Sequence, residues 1–282
     1  MRLNTLKMLA RLTQIEALKF WRKPIAFVVI MLMLVGPMIG VTILARLSPG
    51  DAVYPRIPQF LFTADMLIFI ALATVVLSIM ALGNDYELGT LRGILSRGVS
   101  RSEFIVSKII ATVLAALVYG IVFVAAGLVS SLVSHLSLSD VPFFEAAGAD
   151  IFYRALGAAG VIALANFVLS GIVMLALVLG KSSWAGMLAG IGYFLIDFSI
   201  GGIGSGGVLG VRGAYRFTVT YHMISLMERL FPSDPTVSLP RAWIGQGFAS
   251  PLSAVILLLL YGFMLTIASI LLFQRQDLMA KT

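Results

Sequence analysis

Three short arrangements in this sequence carry residue types that do chemistry elsewhere. Gly180-Lys181-Ser182 has the ending of a phosphate-cradling loop, in which backbone N–H groups and a lysine hold phosphate oxygens. The complete spacing needs a glycine five residues before Gly180, and position 175 is Leu. The segment also joins two apolar runs and no strand, so it reads as a tight turn. Gly202-Ile203-Gly204-Ser205-Gly206-Gly207 matches the glycine spacing of a dinucleotide loop. That motif works between a strand and a helix, with an acidic residue further on to hold the ribose, and neither is here. Backbone freedom at the end of an apolar run is the simpler reading. His135 and His222 are the only histidines, cysteine is absent, and no His-Glu-x-x-His or acid pair accompanies them. No catalytic dyad and no thiolate or histidine metal site can be assembled from that inventory. The chain does not read as an enzyme.

Asp65, Asn166 and Asp197 are different, because they sit within or beside apolar runs. A carboxylate inside a bilayer costs roughly 2.5–3.5 kcal/mol on insertion scales, so each needs a partner or a wet cavity. Asp65 and Asp197 fall toward the outer ends of their runs. Pairing with a base such as Arg154 is one reading, and a direct part in substrate or proton handling is the other. Asn166 is read most simply as one end of an interhelical hydrogen bond, with the translocation path as its alternative setting.

The elements that must position these residues are membrane spans. Of the 282 residues 60% are apolar and only 12% charged, about half the charged share of a soluble domain. Apolar runs at about 25–45, 60–83, 105–133, 153–180, 184–203 and 251–273 predict an all-α polytopic membrane protein with six transmembrane helices. The whole chain reads as one transmembrane domain. Residues 1–23 hold six bases against Glu16 and predict an interfacial helix on anionic lipid, ending in the anchor Phe20-Trp21-Arg22-Lys23. That segment does not have the build of a cleavable signal. Six spans put both termini on one side. With the N-terminus inside, 13 of the 20 Lys and Arg fall in cytoplasmic segments, which supports cytoplasmic termini. The net charge of +7 is then a topology signal and not a nucleic-acid footprint. Segment 204–250 lies outside, with an amphipathic part near 215–230 that suits helices on the outer surface.

One polar interruption is long and patterned. From Asn84 to Lys108 the sequence reads NDYELGTLRGILSRGVSRSEFIVSK. At 100° per residue Leu88, Leu91, Ile94, Leu95 and Val99 share one side, and Asp85, Thr90, Arg92, Ser96 and Arg97 the other. The spacing predicts a short amphipathic helix on the cytoplasmic surface, within a loop spanning 84–104.

Glu87-Leu88-Gly89-Thr90-Leu91-Arg92, then Leu95 and Val99-Ser100-Arg101, with Phe104 and Lys108 opening the next span, resemble the corresponding loop of type 2 ATP-binding-cassette exporter permeases. The architectural likeness covers essentially the whole chain. Gly98 stands where that family commonly has a proline. The resemblance implies that the loop is a coupling helix docking into a separate ATPase subunit, which binds the ATP and Mg while this chain binds no cofactor. It implies that Leu88, Leu91 and Leu95 seat the helix, with Gly89 between them. Glu87, Thr90 and Arg92 make its polar contacts, and Arg101 closes the element and with Lys108 anchors the third span at the inner headgroups. It further implies pairing with a second copy or a similar permease, in a prokaryotic plasma membrane, and short re-entrant helices within 204–250. An ion-coupled secondary transporter would instead show inverted repeats and paired midplane charges. A non-transporting scaffold would have no ATPase partner.

Overall fold

Helices account for nearly all of the computed structural model, which describes residues 3–47, 64–96, 98–138, 150–200, 214–230 and 249–276. In chain order these are α1 (Leu3–Trp21), α2 (Pro24–Leu47), α3 (Ala64–Ser78), α4 (Asn84–Glu87) and α5 (Thr90–Leu95). They continue with α6 (Arg101–Leu138), α7 (Ile151–Gly180), α8 (Ser183–Phe198), α9 (Val219–Leu230) and α10 (Pro251–Arg275). A π turn, Ile79–Gly83, joins α3 to α4 without a break.

Among the described residues three helices are long and apolar enough to cross a membrane, within α6, α7 and α10. The apolar helices Pro24–Gly36 and Ser183–Phe198 are shorter. The 16 residues of α8 reach about 24 Å, less than the roughly 30 Å hydrocarbon core. The run read as 184–203 therefore stops as an α-helix at Phe198, and residues 201–203 lie outside the described set.

Helix α7 is the axle of the bundle. It is apolar all round, as a helix without a solvent face must be, and it packs against α3, α6, α8, α9 and α10. Close approach by α8 depends on small residues at i and i+4, Gly186 and Gly190. A Cβ at Gly190 would lie 2.5 Å from Val75 and 2.8 Å from Val173, so α8 wedges between α3 and α7 only without a side chain there. The Lys181 turn brings α8 straight back along α7, as its sequence implied. Lys181 takes a left-handed φ of 50°, and the Ser182 hydroxyl caps α8 by accepting from the Ala185 N–H.

Helix α6 begins at Arg101, four residues before the apolar run. Ser100 and Glu103 form a reciprocal capping box: the Ser100 N–H donates to Glu103 Oε2 at 3.2 Å, and the Glu103 N–H to Ser100 Oγ at 3.2 Å. That cap fixes the helix start ahead of its hydrophobic part. The amphipathic part of 204–250 is helical as α9, but it does not lie on a surface. All of Val219–Met227 is buried, with α7, α8 and α10 around it.

Candidate functional site

The patterned loop is not one amphipathic helix. Gly89 adopts a φ of 64° and Gly98 one of 84°, so the chain turns sharply on either side of α5. The turn at Gly89 separates side chains that a continuous wheel would align. Leu88 is 75% exposed, whereas Leu91 is 5% exposed and belongs to the core cluster; Leu95 is partly buried against it. Glu87, Gly89 and Thr90 are exposed with Leu88. The Arg92 side chain lies outside the described residues.

Asp85, expected on the cytoplasmic face, is buried. Its carboxylate meets the Lys108 ammonium, which is 1% exposed and also binds Glu16 Oε2 at 2.6 Å. The Thr90 hydroxyl donates to Asp85 Oδ1 at 2.9 Å, and Lys19 pairs with Glu16 at 2.7 Å. Two acids and one lysine thus tie α1, α4 and α6 together, with α5 held through Thr90. Lys108 does not anchor α6 at headgroups. The two carboxylates keep its charge inside, and the Phe104 ring lies 4.9 Å below it. Partial burial lowers the Lys23 pKa from its ordinary value, against the pull of Asp85 and Glu16. Phe20 likewise turns into the core and away from lipid.

Tyr86, the next residue, goes the other way. Its hydroxyl donates to Gln276 Oε1 at 3.0 Å, and the Gln276 amide donates to the Val178 carbonyl near the end of α7. Arg101, also expected to anchor the start of α6, holds another helix. It donates to the carbonyls of Gln274 and Gln276 at 2.7 Å each, satisfying groups that the end of α10 leaves open. Phe273 stacks on Phe104 at 5.8 Å and meets Tyr86 edge-on at 6.5 Å. The loop, the end of α1, the α7–α8 turn and the end of α10 therefore meet at one end of the bundle.

The intramembrane polar residues lie elsewhere. Asn166 accepts a hydrogen bond from the Thr74 hydroxyl, the interhelical bond its position suggested. Asp197 is 5% exposed and does not pair with Arg154, which binds Asp150 one turn away at 2.7 Å. The Asp197 carboxylate accepts from the Tyr193 hydroxyl at 2.8 Å and from the backbone N–H groups of Val219 and Thr220 at 2.9 and 2.8 Å. It caps the buried N-terminus of α9, where a negative charge complements the helix dipole. Tyr193, Asp197, Thr220 and Asn166 share the wall of a cavity of about 40 Å³. Asp65 lies on the first turn of α3, and its side chain, like that of His135, is outside the described residues.

Sequence reading missed Glu16, Lys108, Tyr86 and Gln276 as partners. Charge was legible at Glu16 and Lys108, one acid among six bases and one lysine inside an apolar run. Nothing in the sequence marks Tyr86 or Gln276.

A family model described as an ABC-2 family transporter protein matches residues 12–197, from within α1 to the end of α8. No curated protein matches the sequence.

Proposed function

Because the chain belongs to the ABC-2 family of transporter proteins, we propose that it is the membrane-spanning permease of an ATP-driven transporter. A separate ATP-binding-cassette ATPase carries the ATP and Mg. The observation that carries this reading is the match over residues 12–197, which includes the surface loop, Glu16 and Lys108, though not α10. Outward transport is the direction that the likeness to type 2 exporters supports.

Within that function α2, α3, the α8 region and the three long helices make six crossings, with α1 along the inner surface. Together with the rest of α1, the segments that converge at one end of the bundle hold 11 of the 20 Lys and Arg. That end is cytoplasmic in this reading, and the membrane is a prokaryotic plasma membrane. Two copies of the chain, or this chain and a similar one, form the path.

The coupling element divides its labour. Glu87, Leu88, Gly89, Thr90 and Arg92 face the ATPase. Leu91 and Leu95 root the loop in its own bundle, and Arg101 fastens it to α10. Asn166 and Asp197 hold the bundle in shape, and Asp65, a carboxylate within an apolar run, is the candidate for the path.

The test is purification of the tagged chain from its native membranes in mild detergent, with its companions identified. A stoichiometric ATPase is expected, and it should be lost on Leu88→Asp while the chain stays monodisperse. A chain that emerges alone in several detergents and in nanodiscs refutes the proposal and leaves gradient-driven transport as the better account.

A further inference from the structure

Consecutive side chains on α4 leave in different directions, and each ends in a fastening. Asp85 reaches α1 and α6 through Lys108 and Glu16. Tyr86 reaches α10 and α7 through Gln276, whose side chain spans the two. The fastenings are joined across their gap by rings. Lys108 lies over Phe104, Phe104 stacks on Phe273, and Phe273 meets Tyr86. Arg101 adds a clasp from the start of α6 to the last carbonyls of α10.

We infer that the Asp85–Tyr86 step is a rigid node that makes α1 and α10 move with the surface loop as one body. The loop would otherwise be a poor lever. Without the node a push on Leu88 would pass along the α4 axis and the π turn into α3, leaving α1 and α10 behind. With the node in place, displacement of the loop reaches the first and last described helices together. Stability alone is a weak reason to bury these charges, because a buried ion pair is often no better than apolar packing. Fixing one arrangement is the better-supported use, and all three charged members lie on different helices. Lys108, Glu16, Asp85, Tyr86 and Gln276 are positioning residues in this scheme and need not touch cargo or nucleotide. The inference deepens the coupling role proposed above and rests on it for its purpose.

The absence of cysteine permits clean spin labelling of the full chain. Exposed Ser96, just past α5 and outside the surface offered to the ATPase, is paired with Gln14 on α1, and separately with Gln274 on α10, each changed to Cys, in nanodiscs. Both distance distributions should be narrow in the otherwise native chain. Lys108→Met combined with Glu16→Gln and Asp85→Asn removes the charges together, so no unpaired ion is left buried. This variant should keep a native melting temperature and yet widen the Ser96–Gln14 distribution about twofold, while Lys108→Arg keeps it narrow. Tyr86→Phe with Gln276→Leu should widen the Ser96–Gln274 distribution in the same way. In complex with the co-purified ATPase, trapping with ADP–vanadate should leave both native distances within about 2 Å of their nucleotide-free values, as expected of one moving body.

Broad distributions in the native chain overturn the inference without any variant having to fold. So do native widths in the folded, charge-neutral variant, or a native shift well beyond that limit on trapping. Narrow native widths with no ATPase bound would instead support the node and sink the permease reading, so the two failures are separable.

Discussion

Replacing Asp197 is the sharpest test of how this bundle is held. The carboxylate, 5% exposed, accepts three hydrogen bonds, from Tyr193 at 2.8 Å, Val219 at 2.9 Å and Thr220 at 2.8 Å. Asn can keep Oδ1 for Tyr193 and Val219. Its amide then turns an N–H toward the N–H of Thr220, donor against donor. Losing one bond to a charged acceptor costs about 1.5–3 kcal/mol, and losing the negative charge at the helix N-terminus about 0.3–1 kcal/mol more. The expected loss for Asp197→Asn is therefore about 2–4 kcal/mol. Asp197→Ala strands all three donors, each at about 1–3 kcal/mol, and should exceed the Asn loss. Reversible unfolding in mixed detergent micelles reads the total. Amide exchange at Val219 and Thr220 reads the cap itself, and both should exchange faster in either variant. Arg154→Ala is the control: its pair with Asp150 is exposed, so about 0–1 kcal/mol is expected. If Asp197→Asn cost less than Arg154→Ala, or left both amides protected, the carboxylate would not be the cap and the pairing with Arg154 would be worth reopening.

Gly190→Leu should force α8 away from Val75 and Val173 at an overpacking cost of about 1–3 kcal/mol, read as a lower melting temperature; Gly192→Leu, with nothing within 4 Å of its added Cβ, should not. Thr74→Val keeps the shape of the side chain but deprives Asn166 of its donor. It should cost about 0.6–2 kcal/mol in the same unfolding assay. Ser100→Ala removes half of the capping box and should cost about 1 kcal/mol, with faster exchange of the first α6 amides. Leu91→Asp should fail to give a monodisperse chain, because it places a charge in the core, while Leu88→Asp should purify normally.

Helical class and the long helices were legible because twenty-residue apolar runs admit little else. The α6 start was legible as well, but in Ser100-x-x-Glu103 and not in hydropathy, which begins four residues later. The loop misled because a helical wheel assumes an unbroken axis. A single glycine with φ of 64° voids the comparison between Leu88 and Leu91. Asp197 misled for a different reason. Acid and base invite pairing on paper, but backbone N–H groups at a helix start are donors that no sequence pattern displays. For α9 the surface reading failed because its polar positions Thr220, His222 and Ser225 are buried as well, Ser225 with partners inside: its Oγ donates to the Tyr221 carbonyl at 2.7 Å and accepts from the Ala249 N–H at 3.2 Å. Gln276 reaches Tyr86 across 190 positions. No local periodicity reports a contact of that separation.

The π turn at Ile79–Gly83 carries one residue more than an α-helical turn would. It therefore sets the angular phase of everything after it on the same axis. Winding the same residues as an unbroken α-helix would leave its length and hydropathy almost unchanged. Asp85 would nonetheless be carried about 100° round the axis, toward the side that Tyr86 now faces, and Tyr86 on past its glutamine. Crossing a membrane and engaging what lies beneath it are thus written in different quantities, length for the one and phase for the other. A single insertion or deletion can change the second while leaving the first intact.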